Sequence, residues 1–202
     1  MIRNIIFDIG NVLVKNKDLD FFRGKGFDEQ TVIRVAGATC FSPVWTELDR
    51  GIWPLEKIID GFVENCPESE REIRMSMENL SGYIEQFPYT KEWIAELHRD
   101  EFRVYCLSNL SDKILQDCAR ELDFLPLLDG YLLSYRENLV KPNHKIYERM
   151  LERFRLQANE CIFIDDRKEN VVAAISVGIN GFVFTDLNVA KQNIQKMTKL
   201  NG

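Results

Sequence analysis

Five short segments of this chain are apolar at consecutive positions rather than alternate ones. They occupy residues 4–8, 103–109, 130–134, 161–166 and 181–185. Such segments, rich in Ile, Val, Phe and Tyr, are typical of strands buried on both faces of a parallel sheet. Segments with helical periodicity lie between most of them, at 90–100, 111–125, 144–154 and 169–178. This alternation predicts βαβ units and an α/β fold whose parallel sheet is flanked by helices.

The alternation is interrupted between residues 15 and 88. The apolar residues there follow helical periodicity near 28–38, after Pro54 and across 68–87, and no convincing buried strand is evident. We therefore predict a core formed by residues 1–14 and 89–202, with residues 15–88 inserted as a small all-helical unit.

The net charge and the cysteine pattern of the chain exclude some classes of partner and indicate a cellular location. The net charge of the 202-residue chain is −6, which argues against nucleic acid or an anionic membrane as its main partner. No apolar run approaches the roughly 18 residues that span a bilayer, and the N-terminus does not resemble a signal peptide. The five cysteines form no C-x-x-C pair, which favours reduced thiols and a cytoplasmic location. The sequence carries no signal of the oligomeric state.

Polar side chains gather where the predicted strands end, at the edge where open parallel sheets bind ligands. In chain order they are Asp8, Ser108, Asn109, Asp165 and Asp166, with Lys141 in the loop after the third strand. Three carboxylates at one edge repel each other unless a cation compensates, and oxygen ligands favour Mg²⁺. A lysine and a serine hydroxyl nearby are suited to hold phosphate oxygens. Each residue alone is more often a helix cap or a surface group, but the combination predicts phosphoryl transfer.

Four segments at these strand ends resemble the signature motifs of the haloacid dehalogenase-like (HAD) hydrolase superfamily. They are FDIGNVL (7–13), LSN (107–109), KPNHKIY (141–147) and IDDRKENVVAAISVGI (164–179), in the family's order. The resemblance covers nearly the whole chain, and the insertion lies where that family carries a small helical cap. It implies a Rossmann-like core with Asp8 on the central strand, beside the strand that ends at Asp165.

The resemblance also implies roles for individual residues. Asp8 would attack phosphorus and form an aspartyl-phosphate intermediate. Ser108 and the backbone around Asn109 would bind the phosphoryl group, and Lys141 would neutralise both the nucleophile and the group in transfer. The ligands implied for Mg²⁺ are Asp8, Asp165, Asp166 and the backbone carbonyl of Gly10. The chain is thus expected to be a Mg²⁺-dependent phosphatase of a small phosphorylated metabolite, with a sugar phosphate as one candidate.

Gly10 departs from the pattern of the family phosphatases, which usually carry a second Asp two residues after the nucleophile. A glycine keeps the carbonyl but supplies no proton donor, and loss of general acid–base catalysis costs roughly 10²–10⁴-fold. Three outcomes stay open: a proton supplied by water, a cap residue or the substrate; a preference for good leaving groups; or a catalytically silent protein that binds a phosphorylated ligand. A 2-haloacid dehalogenase is a less favoured alternative, because a metal-free anionic site has little use for the pair Asp165 and Asp166.

The segment WTELDRGIW (45–53) is the best candidate for contact between the insertion and a substrate. Trp45 and Trp53 are more simply explained as core residues of the insertion. Arg50 is retained as a candidate substrate-binding residue, because a guanidinium is suited to a substrate anion.

Overall fold

The computed structural model describes residues 1–200. The strands in this part of the chain are β1 (Asn4–Phe7), β2 (Val14–Asn16), β3 (Ile84–Gln86), β4 (Arg103–Ser108), β5 (Gly130–Leu133), β6 (Cys161–Asp165) and β7 (Asn180–Val183). The α-helices are α1 (Asp18–Gly24), α2 (Glu29–Ala38), α3 (Pro43–Arg50), α4 (Leu55–Asn65), α5 (Glu70–Glu78), α6 (Thr90–Arg99), α7 (Asp112–Asp117), α8 (Ser134–Glu137), α9 (His144–Phe154), α10 (Lys168–Ser176) and α11 (Leu187–Leu200).

Five of the strands form one parallel sheet in the order β5-β4-β1-β6-β7. Strand β1 is central, and its last residue, Phe7, is in register with Cys106 of β4 and Ile164 of β6. The residues that follow these three positions therefore meet at one edge of the sheet. The predicted α/β fold, with a parallel sheet flanked by helices, is confirmed.

Burial on both faces explains the consecutive apolar residues of the central strands. Ile5 and Phe7 belong to one hydrophobic cluster, and the Phe7 ring lies 4.5 Å from Trp93 of α6 between centroids. Ile6 belongs to the cluster on the other face, where Tyr147 of α9 packs. No exposed face remains for polar residues along β1, so Asp8 is the first charged residue after the strand.

The insertion is bounded by two short strands that the sequence did not predict. Strands β2 and β3 pair antiparallel, with Val14 opposite Gln86 and Asn16 opposite Ile84, and α1–α5 lie between them. The helix predicted across 68–87 ends at Glu78, because Asn79 is extended and Gly82 has a φ of 85°. The assignment of 1–14 with 89–202 and of 15–88 to separate units stays a prediction, and residues 201 and 202 lie outside the described residues.

Other boundaries also differ from those predicted. The helix expected over 111–125 ends at Asp117, whose carboxylate accepts hydrogen bonds from Leu80 N at 2.8 Å and contacts Lys113 Nζ at 2.9 Å. Two short helices, α1 and α3, form in parts of the insertion for which no helix was predicted. None of the described helices has the length and apolar character needed to cross a membrane.

Candidate active site

A cavity of about 640 Å³ opens beyond the carboxyl ends of β1, β4 and β6. The core lines it with Asp8, Ser108, Asn109, Lys141 and Asp166, and the insertion contributes residues of α3 and the segment before it. Asp165 lies beneath this surface and is fully buried. The structure thus brings the residues predicted from the strand ends into one region.

Asp8 is held in place through one of its two carboxylate oxygens. Its Oδ1 accepts hydrogen bonds from Ile9 N and Ser108 Oγ, each at 2.7 Å, and lies 2.8 Å from Lys141 Nζ. Among the described residues, no donor contacts Oδ2. Burial raises the pKa of Asp8 to about 6, against the opposing effect of the Lys141 charge. One oxygen is therefore oriented by the protein while the other is available to react.

Lys141 lies between two carboxylates below the cavity. Its Nζ is 2.8 Å from Asp8 Oδ1 and 2.6 Å from Asp165 Oδ2, and it donates to Leu107 O at 3.0 Å. Burial disfavours the charged ammonium, but the attraction of Asp8 and Asp165 outweighs it and raises the pKa of Lys141. The side chain consequently supplies a fixed positive charge next to the Asp8 carboxylate.

Asn109 positions the backbone of Lys141. Its Oδ1 accepts from Lys141 N at 2.8 Å, and its Nδ2 donates to Lys141 O at 3.1 Å. The amide side chain is thus committed to the lysine loop, while the predicted role of Asn109 in binding phosphate depends on its backbone and stays a prediction.

Asp165 and Asp166 differ in what surrounds them. The two oxygens of Asp165 accept from Lys141 Nζ, from Arg167 N at 2.8 Å and from Asn170 Nδ2 at 3.0 Å. Asp166 is partly exposed, and its Oδ2 accepts from Asn11 Nδ2 at 3.1 Å. Burial, with a smaller contribution from Asp165, raises the pKa of Asp166.

The acidic group at the sheet edge has the composition of a site for a hard cation. Ligand oxygens of Asp8, Asp165 and Asp166 lie within 4.8 Å of one another. The site contains oxygen donors and no thiolate or imidazole among the described residues, which suits Mg²⁺ rather than zinc. Because the oxygens of Asp165 already accept four protein hydrogen bonds, Asp8 and Asp166 are the carboxylates with lone pairs to spare.

Gly10 lines the cavity beside Asp8, as the sequence predicts. A Cβ atom at this position would lie 3.3 Å from Asn16 Nδ2, so a side chain would press against β2. Gly10 is proposed to bind Mg²⁺ through its backbone carbonyl. It has no side chain that could donate a proton.

Two neighbouring residues of α3, Asp49 and Arg50, differ in whether they line the cavity. Arg50 pairs with Glu47 at 3.1 Å and is not among the described residues that line the cavity, so its predicted contact with substrate gains no support here. Asp49 is 8% exposed and lines the cavity. Sequence reasoning did not select Asp49, although it lies four residues after Trp45, which also lines the cavity and packs 5.1 Å from Tyr83.

The sheet order, the helical insertion and the acidic cavity at the carboxyl edge define a Rossmann-like α/β protein with helices inserted beside the cavity. The family model of the haloacid dehalogenase-like hydrolases matches residues 2–178. The chain belongs to this family, as the four motifs predicted.

Relatives with assigned activities include phosphatases. The chain is 28% identical over 182 residues to the sesquiterpene phosphatase astK of Aspergillus oryzae, covering 90% of this chain and 89% of that protein. It is 26% identical over 195 residues to the D-ribitol-5-phosphate phosphatase of Bacteroides thetaiotaomicron, covering 90% and 91%. The prediction of a hydrolase is confirmed, and these relatives support a phosphatase.

Solved structures share the fold at low identity. A HAD family enzyme from Bacteroides thetaiotaomicron, in complex with magnesium and inorganic phosphate, superposes with a TM-score of 0.67 at 20% identity over 92% of this chain and 95% of the other. The L-2-haloacid dehalogenase of Xanthobacter autotrophicus gives 0.64 at 13% identity over 93% and 79%. Fold similarity therefore does not separate the phosphatase from the dehalogenase.

Proposed function

We propose that this chain is a Mg²⁺-dependent phosphohydrolase that acts through an aspartyl-phosphate on Asp8. The observation that carries the proposal is the environment of Asp8. Ser108 and Lys141 hold its Oδ1, while no described donor contacts its Oδ2 beside a cavity of about 640 Å³. A buried carboxylate with one oriented and one open oxygen is suited to nucleophilic attack.

Asp8 and the residues around it have different proposed roles in phosphoryl transfer. Asp8 Oδ2 attacks phosphorus in line with the bond to the leaving group. The Lys141 ammonium offsets the charge that Asp8 and the transferring group bring together, and the Ser108 hydroxyl is within reach of a phosphoryl oxygen. Water then attacks phosphorus and releases inorganic phosphate and free Asp8.

The proposed metal ligands are Asp8, Asp166 and the Gly10 carbonyl. Asp165, which the sequence also predicts as a ligand, would bind the ion only by giving up one of its protein hydrogen bonds. A bound Mg²⁺ would shield the phosphoryl oxygens from the carboxylates. The support for this part of the proposal is the clustered acidic oxygens, together with the magnesium and phosphate in the similar Bacteroides structure.

The proposed substrate is a small phosphorylated metabolite. The cavity wall from the insertion combines apolar Phe41 and Trp45 with polar Ser42 and Thr46, which suits an organic group larger than phosphate alone. Named substrates of the relatives range from a sesquiterpene to ribitol 5-phosphate, and a flavin mononucleotide hydrolase of Arabidopsis thaliana is 22% identical over 200 residues. Within this range a sugar phosphate remains one candidate.

A cytoplasmic location belongs to the same proposal. All five cysteines are free thiols, and four of them are buried, as expected of a protein that folds in a reducing compartment.

Gly10 favours one second candidate, a silent protein that binds a phosphorylated ligand. A site without an acid–base group at this position retains phosphate binding while turnover falls. The buried charges of Lys141 and Asp165 oppose this alternative, since ligand binding alone does not require a charged network below the nucleophile.

The test is phosphate release from p-nitrophenyl phosphate and a panel of sugar phosphates, with Mg²⁺ and with EDTA, alongside Asp8→Asn. Turnover that needs Mg²⁺ and disappears in Asp8→Asn supports the proposal. Ligand binding without phosphate release from any substrate supports the silent protein. Release of halide from 2-haloacids that persists in EDTA would instead identify a dehalogenase.

A further inference from the structure

We propose that Asp49 is the catalytic acid and base of this enzyme, in place of the carboxylate that is missing at Gly10. The inference rests on the proposed phosphohydrolase function. In this proposal the insertion lines the cavity and also supplies, through Asp49, the group that transfers protons.

The core holds Asp49 at the cavity. Ser134 Oγ donates to Asp49 O at 2.5 Å and accepts from Leu110 N at 3.0 Å, which ties the end of α3 to the end of β5 and the loop after β4. Gly51 ends α3 with a φ of 71°, and a Cβ there would lie 2.8 Å from Tyr135 O. This close approach fixes the end of α3 against α8.

One oxygen of the Asp49 carboxylate lacks the partner that its burial calls for. Among the described residues, three buried side-chain atoms have no hydrogen-bond partner, and Asp49 Oδ1 is the one that belongs to an ionisable group. The side chain is 8% exposed and faces the same cavity as Asp8. A buried carboxyl oxygen without a partner is costly to keep for structure alone, whereas a substrate oxygen or a water in the cavity would supply the partner.

The electrostatic surroundings suit proton transfer near neutral pH. Burial raises the pKa of Asp49 to about 7, and the charge of Asp8 adds to this effect. Lys141 and a backbone contact with Ser111 act in the opposite direction. Tyr83 also lines the cavity, and the charge of Asp49 contributes to raising the pKa of its hydroxyl. A carboxyl with a pKa of about 7 is present in both protonation states at neutral pH.

The proposed mechanism puts the leaving group on the side of Asp49. In an in-line displacement the leaving oxygen points away from Asp8, and Asp49 of α3 lines the same cavity as Asp8. The Asp49 carboxyl gives its proton to that oxygen as the phosphorus–oxygen bond breaks and the Asp8–phosphorus bond forms. Water enters from the vacated side, Asp49 takes one of its protons as the water oxygen bonds to phosphorus, and the Asp8–phosphorus bond breaks to release phosphate and free Asp8.

The test is Asp49→Asn, assayed with an alkyl phosphate that the wild type hydrolyses and with p-nitrophenyl phosphate. Alkoxide is a poor leaving group, so kcat on the alkyl phosphate should fall by roughly 10²–10⁴-fold. With p-nitrophenyl phosphate the first step should survive but the second should slow. We expect a burst of p-nitrophenolate followed by accumulation of phosphorylated Asp8, detected by intact mass.

Two further variants make the test specific. Glu47→Gln changes an acid on the same helix that does not line the cavity, and it should retain wild-type rates on both substrates. Gly10→Asp in the Asp49→Asn background restores a carboxyl two residues after Asp8, and it should recover part of the alkyl phosphatase activity. Asn16 must shift slightly to admit that side chain.

The outcomes separate this inference from the proposed function. If the wild type turns over and Asp49→Asn has unchanged rates, the proposed role of Asp49 is wrong and the phosphohydrolase proposal stands. The same holds if Asp49→Asn loses equal activity on both substrates and shows no burst. Absence of wild-type turnover on every phosphate overturns both. A burst in Asp49→Asn also demonstrates that the variant is folded.

Discussion

Lys141 is the residue on which the charge balance of the site depends. Its ammonium is almost fully buried and lies within 2.8 Å of Asp8 and 2.6 Å of Asp165. Two carboxylates in a buried region are tolerated only with such a partner. We therefore expect Lys141 to contribute to stability as well as to the proposed reaction.

Replacing Lys141 by Met should remove activity and destabilise the fold. The neutral side chain leaves Asp8 and Asp165 buried without a counter-charge, which typically costs about 3–5 kcal/mol. Urea unfolding at neutral pH measures the loss. Lys91→Met is the matched control, because Lys91 pairs with Asp123 at 2.7 Å on the surface and such pairs contribute about 1 kcal/mol or less. Equal losses in the two variants would contradict this account of the buried pair.

Replacing Asp49 by Asn should stabilise the protein at alkaline pH. The folded-state pKa of about 7 lies above the ordinary 3.8, so the folded chain keeps a proton that the unfolded chain releases. The stability that this proton contributes is fully present below about pH 4 and is lost progressively between about pH 4 and 7, by on the order of a few kcal/mol in all. Thermal unfolding should show a higher Tm for the variant at pH 8 and a smaller gain at pH 5. A gain that is the same at both pH values would mean that the ionised carboxylate is not the source of the cost.

The individual site residues were predictable to the extent that they lie at strand ends. Asp8 follows β1, Ser108 and Asp165 are the last residues of β4 and β6, and parallel pairing of these clearly apolar strands brings the three residues together. Asp49 was not predictable in this way, because its approach to the cavity depends on the contact of α3 with Ser134. No local pattern in the sequence encodes a contact between residues 85 positions apart.

At the level of elements, helix α3 is positioned by its last turn. Gly51 combines a left-handed φ of 71° with an approach to Tyr135 that leaves no room for a side chain. A change at this position therefore affects the placement of α3 as well as the local backbone.

The substitution Gly51→Ala should lower both stability and turnover. Adopting a positive φ costs an alanine about 1 kcal/mol, and the Cβ contact with Tyr135 pushes α3 away from α8. Gly26→Ala separates the two effects, because Gly26 has a φ of 85° with open space around its Cβ position. We expect Gly26→Ala to lower the free energy of unfolding, measured with urea, and to leave kcat/KM unchanged. Unchanged kcat/KM in Gly51→Ala would show that the contact with Tyr135 does not position the helix.

Elements with long periodic patterns were predicted well, and short ones were not. Helix α2 was expected near 28–38 and spans Glu29–Ala38, because its apolar face repeats over several turns. Strands β2 and β3 have three residues each, which is too few to establish a period of two. They exist because they pair with each other, and this pairing is a property of the folded chain.

At the level of the whole molecule, cation binding should be linked to folding. The acidic oxygens of Asp8, Asp165 and Asp166 come together only in the folded chain. A cation that binds this group stabilises the folded state according to its concentration and affinity.

Mg²⁺ should therefore raise the Tm of the wild type in a concentration-dependent way, and EDTA should reverse the shift. Asp166→Asn removes an acidic ligand with spare lone pairs and should abolish the dependence on Mg²⁺. Asp60→Asn, on the exposed face of α4, should leave the dependence intact. A shift that persists in Asp166→Asn would place the cation elsewhere.

Attachment of Asp49 to the insertion restricts how this enzyme could be re-engineered. In relatives with a second Asp after the nucleophile, the machinery for proton transfer belongs to the core, and a cap can in principle be exchanged to alter selectivity. Here the same helix carries the proton-transfer group and part of the wall that meets the substrate. A cap transplanted onto this core would bring new selectivity but no proton donor, unless Gly10 were changed to Asp at the same time.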